Sequence, residues 1–164
     1  STVAGGPAGF ADATGADARF NTPEGIAVDA AGVLYVADTQ NHVIRKITLP
    51  LGEVSTLAGT PGQRGFVDAN TNAAKFDSPH SLAVDTSGNL YVADSGNHAI
   101  RRISASGEVS TIAGRPGAIG VGTGPLPGAL SNPRGITLVF QGTGATVLGV
   151  TDAGENVVLT ITVP

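Results

Sequence analysis

The chain repeats itself almost three times, and that repetition restricts the fold more than any other feature. Pro23-Glu24-Gly25-Ile26-Ala27-Val28-Asp29 returns as Pro79-His80-Ser81-Leu82-Ala83-Val84-Asp85 and, more loosely, as Pro133-Arg134-Gly135-Ile136-Thr137-Leu138, at offsets of 56 and 54 residues. Leu34-Tyr35-Val36-Ala37-Asp38 recurs at 90–94 and decays to Leu148-Gly149-Val150-Thr151-Asp152. A third segment, 43–48, matches 99–104 and, weakly, 157–162. A fourth, Val54-Ser55-Thr56-Leu57-Ala58-Gly59, returns at 109–114, and its remaining copy is Ser1-Thr2-Val3-Ala4-Gly5 at the opposite end of the sequence. Self-similarity at such a period marks a repeat architecture.

The segments are short, rich in Val, Ile, Leu and Thr, and separated by Gly-bearing turns such as Asp29-Ala30-Ala31-Gly32, so they read as antiparallel strands. Runs like Gly25-Ile26-Ala27-Val28 are nearly continuously apolar, as strands buried on both faces must be. Four strands per unit make a β-propeller blade. In the first unit they are a (26–29), b (34–37), c (43–48) and d (54–57), with a innermost. The blades are expected over about 21–59, 77–114 and 131–164.

The pattern P-x-G-I-A-V-D, then G-x-L-Y-V-A-D-x-x-N-H-x-I-R-x-I, then G-x-V-S-T-x-A-G, resembles the NHL repeat, in its long-insert bacterial form. The first two units match closely. The third loses the Tyr and His and gains an insert at 141–145. The resemblance implies an all-β propeller, usually of six blades, whose relatives include recognition scaffolds as well as a few lyases and lactonase-like hydrolases. Fold therefore follows from it more firmly than function.

Three blades cannot close a ring, and an open arc leaves apolar faces at both ends, beyond what soluble monomers tolerate. The expected solution is a homodimer: two chains form a six-bladed ring, with strand 1–5 of each completing the last blade of its partner. A longer chain that supplies the remaining blades itself is the alternative. The sequence opens at Ser1 without any methionine, so it is expected to be a mature or excised segment, secreted or periplasmic and bacterial.

Composition removes several function classes. Charged residues make up 13%, the net charge is −4, and no Lys/Arg cluster exists, so neither nucleic acid nor a membrane surface is an expected partner. No cysteine is present, which excludes thiol nucleophiles and cysteine metal sites. No serine sits in a nucleophile elbow, and the glycine run at 120–124 lacks the Lys and helix of a phosphate loop.

Chemistry is expected at the channel mouth, where the d-to-a and b-to-c loops gather. The d-to-a loops are long (6–22, 60–78 and 115–132), and two of them share Gly-Phe-x-Asp-Ala and Ala-x-Phe, read as phenylalanines packing on the blade edge. Single helical turns are expected over 16–20 and 72–76. The residue after each opening proline differs between repeats: Glu24, His80, Arg134. These three are the candidate ligand-binding residues. Either Arg134 pairs with Glu24 in a salt-bridged rim, or His80 and Glu24 hold a divalent metal such as Ca or Zn in a lactonase- or esterase-like hydrolase. The leading expectation is a scaffold without enzymatic activity or cofactor that binds a protein, glycan or small molecule; a fragment with no ligand is the third possibility. Asp38, His42, Asp94, His98 and Asp152 recur at equivalent positions, which marks them as blade-building: Asp bonding turn amides, His reaching a neighbouring blade.

Overall fold

The computed structural model describes residues 1–120, 128–142 and 144–163. Among these, three antiparallel sheets follow one another along the chain. The first contains β1 (Pro23–Val28), β2 (Leu34–Asp38), β3 (Val43–Thr48) and β4 (Glu53–Ala58). The second contains β5 (Pro79–Val84), β6 (Leu90–Asp94), β7 (Ala99–Ile103) and β8 (Val109–Gly114). The third has only β9 (Pro133–Gly142), β10 (Ala145–Asp152) and β11 (Val157–Val163). In each sheet consecutive strands pair in meander order, and β1, β5 and β9 approach one another as the innermost strands. The sheets are propeller blades. The third shows three strands among the described residues, and the remaining sequence copy of strand d lies at 1–5.

Local chemistry explains the hairpins. Asp29 accepts hydrogen bonds from the Val33 and Ala31 amides (2.9 Å each) and from the Tyr35 hydroxyl (3.0 Å), closing the β1–β2 turn. The Val33 amide, chief among these donors, holds the Asp29 carboxyl below its ordinary value, while burial pushes the Tyr35 hydroxyl up. Asp85 repeats the device with Ser87, Asn89 and Tyr91. Val139 stands at the equivalent place in the third blade, where the expected insert lengthens β9 and β10 into a longer hairpin.

Blades join by a repeated division of labour between their two faces. The forward face of blade 1 presents Ala27, Tyr35, Ala37 and Ile44 to the rear face of blade 2, made of Leu82, Leu90, Val92 and Ile103. Blade 2 presents Ala83, Tyr91, Ala93 and Ile100 to Ile136, Leu148, Val150 and Ile161 of blade 3. Small alanines let the sheets approach, and the branched rear face fills the space between them. At the ends of the arc these faces are bare: Ile26 and Val28 on the rear of blade 1 are 63% and 56% exposed, and Val139 and Val158 on the front of blade 3 are 59% and 78% exposed.

Hydroxyls stitch the same joints. Thr39 Oγ1 donates to the Pro79 carbonyl (2.7 Å) and Ser95 Oγ to that of Pro133, both buried. Thr39→Val keeps the shape and removes the donor. It is expected to cost about 1–2 kcal/mol, read as a lower urea midpoint at unchanged slope.

Residues 1–5 form no ladder in the single chain. An outermost strand has one neighbour, strand c, and among the described residues no such strand stands beside 1–5. The expected turn at 16–20 appears as one 3₁₀ turn at Gly15–Asp17, and its counterpart is a hydrogen-bonded turn in which the Ala73 and Ala74 amides reach the Asn70 carbonyl. From residue 121 the glycine run lies outside the described residues.

Candidate functional site

Each innermost strand opens with a proline, and the residue after it sits at the same end of its blade. The joints bring those three side chains into one row. His80 Nε2 meets Glu24 Oε2 in a short contact, and Arg134 Nη1 lies 3.0 Å from the same nitrogen. The expected Arg134–Glu24 pair is therefore corrected: His80, from the middle blade, stands between them. A single imidazole nitrogen either donates to Glu24 or accepts from Arg134, so the row has two hydrogen-bonded arrangements that differ in the place of one proton. Around it opens a cleft of about 430 Å³ whose wall also carries Thr39, Ser78, Ser95 and His98.

A divalent metal does not fit this row within one chain. Glu24 and His80 are two donors, and the Arg134 cation lies 3.0 Å from the imidazole Nε2. Among the described residues no three His, Cys, Asp or Glu side chains converge. A tetrahedral zinc site takes three or four protein ligands.

The other repeat residues serve the scaffold. Asp38 accepts the Asn21 amide (2.7 Å), the Asn41 side chain (2.8 Å) and Arg45 Nη1 (2.8 Å). Asp94 does the same with the Asp77 amide, Asn97 and Arg101. Asp152 accepts the Ser131, Asn132 and Gly154 amides instead. His42 and His98 adopt left-handed backbone conformations and reach the following blade, His42 Nδ1 accepting the Ser78 amide (3.1 Å) and His98 Nδ1 donating to the Ser131 carbonyl. Asn156 holds the same backbone conformation in blade 3.

Sequence reading missed the most demanding residues of the structure, Arg45 and Arg101. Both are fully buried. Arg45 lies between the rings of Phe10 and Phe20, 4.6 and 4.9 Å from their centroids, and pairs with Asp38 and Asp12 (2.8 and 2.6 Å). Arg101 repeats this with Phe66, Phe76, Asp94 and Asp68. The phenylalanines do pack on the blade edge, as expected, but with a guanidinium clamped between them. The available signal was a charge recurring inside an apolar strand, each time 33 residues after an Asp and 35 after a Phe. In blade 3 the equivalent position is Leu159, opposite Val150 as Arg45 is opposite Val36.

Comparison with known proteins agrees with this architecture. The NHL repeat matches residues 20–47 and 76–103, the inner strands of blades 1 and 2. The chain is 38% identical over 102 residues to Protein SUPPRESSOR OF QUENCHING 1, chloroplastic, of Arabidopsis thaliana, covering 62% of this chain and 10% of that protein. It is 36% identical over 95 residues to NHL repeat-containing protein 2 of Gallus gallus, covering 57% of this chain and 13% of that protein. It thus spans only a small part of these relatives. Among solved structures it superposes with a TM-score of 0.71 on an auxiliary nutrient binding protein from Bacteroides thetaiotaomicron, at 22% identity over 83% of this chain and 36% of that one, a likeness of fold. Repeat pattern, blade topology and relatives coincide: the chain belongs to the NHL-repeat β-propeller family.

Proposed function

We propose that the chain is half of a six-bladed binding scaffold, completed by a second copy, and that it holds a polar small molecule or the end of a glycan at the channel mouth. One observation carries the reading: three unlike polar side chains, Glu24, His80 and Arg134, are delivered by three successive blades to a single open cleft. A joint needing only stability repeats its residues, as Asp38 and Asp94 do; this position instead carries an acid, an imidazole and a guanidinium in the three blades. Donors, an acceptor and hydroxyls around a concave mouth suit a ligand with several hydroxyl or carboxylate groups. The metal-dependent hydrolase reading draws no support from the row, which offers two donor side chains with the Arg134 cation beside them.

The test follows the three imidazoles by NMR while glucose, cellobiose, gluconate and succinate are added at millimolar concentration. At least one probe is expected to shift the His80 signals and leave those of His42 and His98 in place. Arg134→Ala is expected to weaken that probe's binding tenfold or more, the effect of losing one charge-assisted hydrogen bond. Unmoved His80 signals with all four overturn the site, and chelator-sensitive hydrolysis of a simple lactone or ester overturns the non-enzymatic reading.

A further inference from the structure

We infer that the insert of blade 3 and the first turn of blade 2 build a second binding site, at the end of the blades away from the channel mouth, and that it takes a short hydroxycarboxylate through the Arg102 guanidinium.

Blade 2 departs from blade 1 at this turn. Asp29-Ala30-Ala31-Gly32-Val33-Leu34-Tyr35 becomes Asp85-Thr86-Ser87-Gly88-Asn89-Leu90-Tyr91, and Lys46, opposite Tyr35, becomes Arg102, opposite Tyr91. Three apolar side chains turn polar, and an ammonium turns into a planar fork of donors. The insert comes to rest on the altered turn. β9 starts at the row of Glu24, His80 and Arg134 and ends beside blade 2, where Gln141 Oε1 accepts the Thr86 amide (2.9 Å) and the Thr86 hydroxyl (2.7 Å). Between them lies a polar cleft of about 230 Å³, walled by Asp85, Ser87, Asn89, Arg102, Gln141 and Thr146. It sits at the joint of blades 2 and 3, which the chain forms by itself.

The charges in the cleft are unevenly spent. Asp85 is 5% exposed and its carboxylate is taken up: Oδ1 accepts the Ser87 and Asn89 amides (2.9 Å each), and Oδ2 accepts the Asn89 side chain and the Tyr91 hydroxyl (2.8 and 3.1 Å). Arg102 makes one hydrogen bond among the described residues, from Nη2 to the Asn89 side-chain oxygen at 3.2 Å, and its Nε has no partner there. Arg45 and Arg101, by contrast, spend both terminal nitrogens on carboxylates and carbonyls. A guanidinium aligned by a neutral amide keeps its charge and most of its donors for a ligand, and its fork matches a carboxylate. The fixed charge of Asp85 disfavours a doubly charged phosphate beside it. The Ser87 hydroxyl and the Gln141 side-chain NH2 are placed to bond a hydroxyl next to the carboxylate. The cleft is smaller than the roughly 300 Å³ at which sites for drug-sized ligands begin, which limits the ligand to a few carbons.

Heteronuclear NMR of the whole chain tests this with glycolate, and with glycolamide as the uncharged control. Glycolate is expected to shift the Arg102 Nε–H and Gln141 side-chain signals saturably and to leave those of His80 in place, whereas glycolamide at equal concentration moves neither. Ser87→Ala, Asn89→Val and Arg102→Lys together install the residues that blade 1 already carries at this turn, so the blade keeps a sequence its fold accepts. That variant is expected to bind glycolate at least tenfold more weakly, the effect of losing one charge-assisted hydrogen bond. No saturable shift, equal shifts with both compounds, an affinity that the triple variant leaves unchanged, or a response at His80 alone each overturns the site. Tighter binding of inorganic phosphate than of glycolate overturns the choice of ligand. Signals at His80 report on the channel mouth and those at Arg102 on this cleft, so either site can fail without the other.

Discussion

Arg101→Met is expected to lower the unfolding free energy by about 3–5 kcal/mol, the usual cost of removing one partner of a buried ion pair. The side chain ties three parts of the fold: Asp94 in β6 (2.9 Å), Asp68 in the long loop (2.6 Å), and the Lys75 and Val67 carbonyls (3.0 and 2.8 Å). Methionine restores much of the contact with Phe66 and Phe76 but none of the charge, leaving fully buried Asp94 without a cation. Total stability of a domain this size is about 5–15 kcal/mol, so the variant would stand near the edge of folding.

The loss should also depend on pH. Burial pushes the Asp94 carboxyl up to about 6 even with Asn97, Arg101 and the Asp77 amide bonded to it. A carboxyl raised in the folded state takes up a proton on folding, so its contribution is present in full below its unfolded value near 3.8 and is lost as pH rises through 6. Removing Arg101 raises it further. The deficit of the variant should therefore be larger at pH 8 than at pH 5, and adding Asp94→Asn should recover part of it at pH 8. Denaturant unfolding at both pH values checks this; a loss below 1 kcal/mol, or one equal at the two, would show that the guanidinium is not what holds the loop.

Ile26→Asp is expected to convert a two-chain assembly into single chains while leaving each arc folded. Ile26 is exposed in the arc, whereas Leu82 and Ile136, at the same position in blades 2 and 3, are buried beneath the preceding blade. A closed ring would bury Ile26 twice, once at each seam. An unpaired carboxylate there costs about 2–3 kcal/mol per seam, so two seams weaken association roughly a thousandfold or more. Light scattering across a concentration series, with circular dichroism as the control for folding, reads the result. An unchanged two-chain mass would mean that this face is not the seam.

The rear face of blade 1 matches the covered rear faces of blades 2 and 3, but the front of blade 3 differs from the fronts of blades 1 and 2. Thr137, Gly149, Thr151 and Val158 stand where Ala27, Tyr35, Ala37 and Ile44 do. A joint formed there would lack the tyrosine ring that Tyr35 and Tyr91 supply to the two joints within the arc.

Much of this architecture was legible beforehand because it is local. A strand is a short run of Val, Ile and Leu, a turn is an Asp followed by a Gly, and a blade is four such runs in order, so the repeat announces β1 to β8, although β1 begins at Pro23, three residues before the expected Ile26. Glu24, His80 and Arg134 were also recognisable, as a position after each opening proline that carries a different ionisable side chain in each repeat. Their order in space was not: opposite charges invite an Arg134–Glu24 pair, and only the stacking of the three blades places His80 between them. The clamp around Arg45 was hidden for the same reason, since Phe10, Asp12 and Phe20 reach it from a loop that precedes blade 1 and folds back onto it. Backbone spacing and side-chain type along the chain determined the strands, the turns and the number of blades. Which side chains meet across a joint or beneath a loop, more than 20 residues apart, was decided by tertiary packing, because no local period carries that information.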